Sequence, residues 1–352
     1  IIVLLGADAN TAALGGTYLA IVFATAPARH VALIGARSLQ GTGDTRTPMY
    51  VNVLANALNI AGSFVLGLGL LGAPRLDIVG VGIATAAANV LTAALLVAAM
   101  ATSWADASLV RPRDGVIAKQ LVRVSAPRVL EGFSATIAEF PFNALLLGFG
   151  TEVNAGFQIG RRMYQQVTGP LSRGYNVAAS VVVGQALGDA DADGARYNGY
   201  AVTGLGLATV GVIGILLVAL APAFVSVFTA DAGTVPHAVA FARVYGATAA
   251  FLVTFTVLSG ALQGASETRV PLVGRLVGTF GFLLGTTYLV GEVLGYGARG
   301  AYLGVGLQYV CMAAIVLWGF RYTGWAARAA EMMAERGSAQ GDAEGTGGAD
   351  DA

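Results

Sequence analysis

Long apolar runs separated by short polar islands set the pattern of this chain. Residues 49–74, 78–105, 197–230, 244–266 and 300–320 carry no charge at all. A helix needs roughly 20 apolar residues to cross a bilayer, so each run predicts a transmembrane span. Four weaker runs, 12–36, 127–150, 157–187 and 270–291, are also long enough. The pattern predicts nine full spans, with residues 1–6 as the remnant of another. The run 197–230 is overlong and predicts either a tilted helix or one that includes a loop.

Two of the polar islands are copies of one another. Leu39-Gln40-Gly41-Thr42-Gly43-Asp44-Thr45-Arg46-Thr47-Pro48 returns as Leu262-Gln263-Gly264-Ala265-Ser266-Glu267-Thr268-Arg269-Val270-Pro271. Leu, Gln, Gly, Thr, Arg and Pro are identical, and Asp44 is matched in charge by Glu267. The offset of 223 residues is too long for a solenoid period and points to duplication of half a protein. Gly and Pro break helices, while Arg and an acid resist entry into lipid, so each copy reads as a tight loop at a membrane surface. Four spans beginning at Pro127 precede the second copy, but one span and a stub precede the first. By symmetry the parent has two six-helix lobes, and this sequence reads as a fragment short of about three N-terminal spans. The organisation expected is a partial N-lobe over 1–103, a linker over 104–122, a C-lobe over 123–322 and a polar tail over 323–352.

Composition sharpens the class. Hydrophobic residues make up 56% and charged residues 11%, against roughly 25% charged in soluble domains, which makes this an all-α integral membrane protein. Zero formal net charge removes nucleic acid as a partner. Arg111, Arg113, Lys119, Arg123 and Arg128 cluster between two spans, and Arg37 with Arg46, Arg196, Arg269 with Arg275, and Arg321 with Arg328 fall at alternate boundaries. The positive-inside rule puts these boundaries and the C-terminus in the cytoplasm of a multi-pass cell-membrane protein. The lone Cys311 cannot form an internal disulfide and reads as packing. With no GxxxxGK[ST] loop, ATP cannot drive the protein directly. One Cys and two distant His supply neither a nucleophile–base pair nor a metal cluster, so no enzyme, metal site or cofactor is expected.

The motif at residues 40–50, followed by Asn52, Asn56 and Asn59, resembles the loop between the fourth and fifth helices of multidrug and toxic compound extrusion (MATE) transporters. The copy at 262–271 is similar to that family's loop between the tenth and eleventh helices. Arg162, Pro170, Gly174, Gly184-Gln185 and Gly188 resemble its eighth helix. The likeness runs from about Asp8 to Phe320 and is nearest the archaeal or DinF-like branch. It implies twelve helices in two lobes around a V-shaped cavity, a monomer, and alternating-access export of amphipathic cationic compounds in exchange for Na⁺ or H⁺. A lipid-linked or other polar-substrate flippase of the wider superfamily is the alternative, and an inactive truncated remnant a further one. The family's N-lobe cation site carries over onto Asn59, Ser63 and Thr85. Ser63 stands where an Asp is expected. The seventh-helix Glu and tenth-helix Asp of other branches fall on Ala135 and Leu252, whereas Glu131 matches the DinF-like pattern.

Glu139 is the most informative single residue. A carboxylate near the middle of a span costs at least ~2.5 kcal/mol, so it should face a cavity or a partner. Proton coupling and a structural pair with Arg161 or Arg162 are both open. Glu131, near Arg128, reads as a local helix-end pair. Asn52, Asn56 and Asn59 form one stripe, and Gln158, Arg162, Gln165, Gly169, Ser172 and Asn176 a second. Asn56, Gln165 and Asn176 are cavity candidates, with Arg161 and Arg162 expected to snorkel. His30 reads as a satisfied hydrogen-bonding residue and His237 as solvated. Asp189, Asp191 and Asp193 read as a solvated turn. Gly41, Gly43, Asp44, Arg46 and Pro48, with Gly264, Glu267, Arg269 and Pro271, are the loop-motif residues.

Overall fold

The computed structural model describes residues 9–102, 107, 115–329 and 331–332. Among them every regular element is helical. Two compact units divide the chain, Ile1–Arg111 and Pro112–Ala352. The first holds α1 (Ala9–Ala24), α2 (Ala26–Gly41), α3 (Arg46–Leu68) and α4 (Asp77–Ala101). The second holds α5 (Gly115–Phe149), α6 (Thr151–Val167), α7 (Gly169–Gly188), α8 (Ala192–Phe228), α9 (Thr234–Ala247), α10 (Ala249–Gly264), α11 (Arg269–Val293) and α12 (Ala298–Tyr322).

Among the described residues, six helices are long and apolar enough to span a membrane unaided: α3, α4, α5, α8, α11 and α12. Two further spans are broken. The expected run 12–36 is α1 and α2 meeting at 44°, and 244–266 is the end of α9 and α10 meeting at 51°. The ninth expected span, 157–187, is α6 plus α7, which are too polar to qualify on length and composition. Each break falls on a threonine: Thr25, Thr168 and Thr248. Pro27 and Pro170, two residues beyond the first two, lack the N–H that would bond the carbonyls of Phe23 and Gln166, and their rings crowd those turns. No proline follows Thr248; its hydroxyl donates back to the Val244 carbonyl at 2.7 Å, as those of Thr168 and Thr25 do to Tyr164 (2.8 Å) and Val22 (2.9 Å), a contact that often bends helices. Thr25 and Thr248 both sit in Ala-Thr-Ala, at the same 223-residue offset as the loop motifs. The bend is therefore part of the repeat.

The loop copies fold alike. Gly41 ends α2, and Gly43 takes φ 92°, which glycine adopts freely. Its N–H bonds the Gln40 carbonyl at 3.1 Å, and that of Asp44 bonds Leu39 at 3.0 Å, closing a Schellman turn. In the second copy Gly264 ends α10, Ser266 holds φ 60°, and Ser266 and Glu267 repeat the pair of bonds at 3.0 and 2.8 Å. The acid then caps the next helix. Asp44 Oδ1 accepts from the N–H groups of Arg46 (3.1 Å) and Thr47 (3.0 Å), and Glu267 Oε1 from that of Arg269 (3.0 Å). Pro48 and Pro271 lie in the first turns of α3 and α11, where a missing N–H costs little. Asp191 caps α8 in the same manner, accepting from Gly194 N–H at 2.8 Å.

The Thr47 hydroxyl and backbone N–H hold the Asp44 carboxyl below its ordinary value of 3.8. A depressed carboxylate stabilises the fold fully above that value, and the contribution is lost as pH falls through it towards the lower folded value. Asp44→Ala is expected to cost about 1 kcal/mol at neutral pH and progressively less under acid. Thermal melts of both proteins in detergent, compared at pH 7 and pH 3, check this.

Two domain expectations need correction. Residues 115–122 are the first turns of α5 rather than linker, because a continuous helix carries Pro127 and Pro141 inside it. The rest of that linker lies largely outside the described residues. The expected polar tail starts as packed structure over residues 323–329: Trp325 is fully buried, stacks on Phe320 and donates its indole N–H to the Phe320 carbonyl at 2.7 Å. Residues 333–352 lie outside the described residues.

Helix α8 shows how the second unit packs. Its buried positions are Ala195, Gly199, Thr203, Gly206, Val210, Gly214, Leu217, Ala221 and Val225, a stripe at three- and four-residue spacing made mostly of small residues. Leu205, Val212, Ile215, Leu216 and Val227 point outward. Small residues inside and large apolar ones outside are what lipid as solvent demands.

Candidate functional site

Among the described residues, each unit carries a polar cluster between its helices. In the first, α3 and α4 bring together Asn59, Ser63 and Thr85. Asn59 Oδ1 accepts from Ser63 Oγ and from Thr85 Oγ1, both at 3.4 Å. These are the three residues expected to form the cation site. The side chains of Asn59, Ser63 and Thr85 offer only neutral oxygens, so the cluster could be part of a cation's ligand set but is not a charged cage. Asn56 and Asn59 line a pocket of about 490 Å³ with Arg29, His30, Asn52 and Asn89. The His30 ring faces the Ala26 carbonyl at 2.8 Å, and Asn52 donates to the Pro48 carbonyl at 2.7 Å. Asn89 donates to the hydroxyl of Thr25 at the α1–α2 bend, at 3.2 Å.

In the second unit a pocket of about 190 Å³ lies among α5, α6, α9, α11 and α12. Glu139 of α5 faces it and is ion-paired to Arg161 of α6. One turn on, Asn143 donates to the Glu139 carbonyl (2.8 Å) and accepts from Gln158 (3.0 Å), so a polar ladder joins α5 to α6. Gln165 lines the same pocket. Arg161 therefore does not snorkel; it points inward, over the Phe157 ring at 5.9 Å.

The remaining groups around this pocket come from elements that no single sequence window links. Arg275, expected at a helix boundary, sits on α11 with its side chain three-quarters buried. Gln308 of α12 donates to Thr279 of α11 at 3.1 Å, and Tyr245 and Tyr309 complete the wall. A charge six residues inside a span was the available signal for Arg275. Behind the pocket, Glu131 is 4% exposed and takes Arg128 at 2.8 Å and Arg275 at 3.5 Å. The local pair expected with Arg128 is present, but Glu131 also ties α5 to α11.

Asn176 is a correction. Its amide donates to the Thr256 carbonyl at 2.7 Å, a bond between α7 and α10, and it lines neither polar pocket. The small residues at that crossing bring the helices close enough for the amide to reach. His237 is another: it is half-buried on α9, its Nδ1 2.6 Å from the Tyr302 hydroxyl. Arg162 is exposed, and Cys311 is half-buried in α12.

Two helical units with repeated bends and repeated loops, each with a polar pocket between its helices, define a polytopic membrane protein of the duplicated type. The MatE family model matches residues 1–65 and again 127–289, so the chain belongs to the MatE family, whose relatives are multidrug transporters and not enzymes. A probable multidrug resistance protein NorM from Bradyrhizobium diazoefficiens is 30% identical over 340 residues, covering 91% of this chain and 71% of that protein. The Thermotoga maritima NorM is 25% identical over 318 residues, covering 89% and 68%. In fold, the chain matches an outward-facing multidrug resistance MATE family transporter of the MOP superfamily with a TM-score of 0.80 at 20% identity, over 93% of this chain and 72% of that one. A MOP superfamily transporter from Pyrococcus furiosus, described for the reverse polarity of its binding pocket, matches at 0.79 and 20% identity, over 94% and 73%.

Proposed function

We propose that this chain works as a secondary-active exporter of amphipathic small molecules, exchanging them for inward Na⁺ or H⁺ by alternating access. It would act as a monomer in the cell membrane with its C-terminus in the cytoplasm. The observation that carries this reading is the Glu139–Arg161 pair inside the second unit's pocket, in a chain of a multidrug transport family. Glu139 is a carboxylate within a span, paired with one cation of the neighbouring helix. Breaking and remaking that pair as the coupling ion binds and leaves would link the ion to the distance between α5 and α6. The neutral oxygens of Asn59, Ser63 and Thr85 support a weaker role in Na⁺ binding.

Dye efflux from cells or proteoliposomes containing the full chain tests this, under imposed Na⁺ and pH gradients. Glu139→Gln is expected to lower gradient-driven efflux about tenfold or more and to flatten its pH dependence. Unchanged rate and pH dependence in that variant would sink the coupling role.

The second reading, a polar-substrate exporter or flippase of the wider superfamily, is favoured by one observation. Arg161 and Arg275 both line the second unit's pocket, the basic lining that a polar or anionic substrate needs.

A further inference from the structure

The second unit's pocket has a charge balance that discriminates between the two ends of an amphipathic molecule. Among the described residues Glu139 is the only carboxylate lining it, and Arg161 already occupies that carboxylate. Arg275 also lines the pocket, but its own acid is shared. Glu131 lies behind the wall and holds Arg128 at 2.8 Å, leaving Arg275 the longer contact at 3.5 Å. The Arg275 Nε atom is buried with no hydrogen-bond partner among the described residues. Its guanidinium carbon lies over the Phe255 ring, 4.7 Å from the centroid, so the cation is packed against an aromatic face. An arriving ammonium would meet two guanidinium groups and have to displace one of them. An arriving oxyanion would meet an underused planar fork, the geometry that carboxylates match in bidentate fashion. A volume of about 190 Å³ is smaller than the ~300–1,000 Å³ of drug pockets, so it suits one end of a substrate and not the whole. Phe142 and Phe157 in its wall would cover the first part of an apolar body.

We propose that this pocket binds the anionic end of an amphipathic carboxylate, with Arg275 as the anchor. The inference rests on the pocket being a substrate site, as proposed above, and adds the chemical class. Substrates are then anionic or zwitterionic amphipaths, and Glu139 is a repulsive neighbour that Arg161 screens.

The test uses the purified full chain in detergent and three isosteric probes: 2-naphthylacetate, 2-(2-naphthyl)ethylamine and 2-(2-naphthyl)ethanol, with affinities read by calorimetry. The carboxylate is expected to bind about tenfold more tightly than either other probe. Glu139→Gln should strengthen carboxylate binding, since it removes the repelling charge. Arg275→Lys keeps the charge but removes the fork, and should weaken carboxylate binding about tenfold while leaving the alcohol unchanged. Should Arg275→Lys fail to fold, the probe series and Glu139→Gln decide alone. Equal or tighter binding of the amine, no binding of the carboxylate, or weaker carboxylate binding in Glu139→Gln each overturns the proposal. Gradient-driven dye efflux by the same protein reconstituted into proteoliposomes would persist if only the anion preference is wrong, and would be absent if the exporter reading itself fails.

Discussion

Glu131→Ala is expected to destabilise the second unit by about 3–5 kcal/mol, because it leaves a buried guanidinium without its acid. Arg128 is half-exposed and can turn towards water, but Arg275 is three-quarters buried and packed on Phe255. The loss falls on the contact between α5 and α11, since Glu131 is the ion-pair bridge from one to the other. Thermal unfolding of the purified chain in detergent reads the effect. The double variant Glu131→Ala/Arg275→Met should recover much of it, since a buried pair replaced by apolar groups of similar volume is often tolerated. A melting temperature unmoved by Glu131→Ala would show that Arg275 finds another partner or water.

Gly246→Leu is the second large effect. A Cβ at Gly246 would lie 2.6 Å from the Gly214 carbonyl oxygen and 3.0 Å from the Val218 nitrogen, and one at Gly214 would meet the Gly246 oxygen at 2.5 Å. The backbones of α8 and α9 are thus in direct contact there, and neither can yield without separating the helices. Overpacking of a well-filled contact costs about 1–3 kcal/mol, and leucine at a backbone–backbone contact belongs at or beyond the upper end. Gly204→Leu on α8 is the control, because a Cβ there meets nothing within 4 Å and the position is exposed. Thermal melts of the two variants should differ by several degrees. Equal stability would mean that the α8–α9 contact is looser than the geometry indicates.

Much of the architecture was legible because lipid imposes a simple rule. Runs free of charge became helices α3, α4, α8 and α12 within a few residues of their expected ends. The repeated decapeptides became two loops with matching turns and caps, because glycine, acid and proline at fixed offsets dictate backbone hydrogen bonds locally. Asn59, Ser63 and Thr85 came together because two antiparallel neighbours in a hairpin must face each other. The bends were hidden by hydropathy, since Thr25 and Thr248 read as ordinary span residues. The Ala-Thr-Ala repeat at the duplication offset held the signal.

The sequence by itself determined the class, the duplication and the local geometry of the loops, since each depends on spacing within one stretch. Tertiary structure alone decided which polar side chains share a pocket. Glu139, Arg161 and Arg275 lie up to 136 positions apart and meet only because α5, α6 and α11 pack side by side. It also decided that Asn176 joins two helices while Gln165 lines a pocket, although both lie on one polar stripe. A side chain's role in a membrane helix is set by which neighbour its face meets, and periodicity names the face without naming the neighbour.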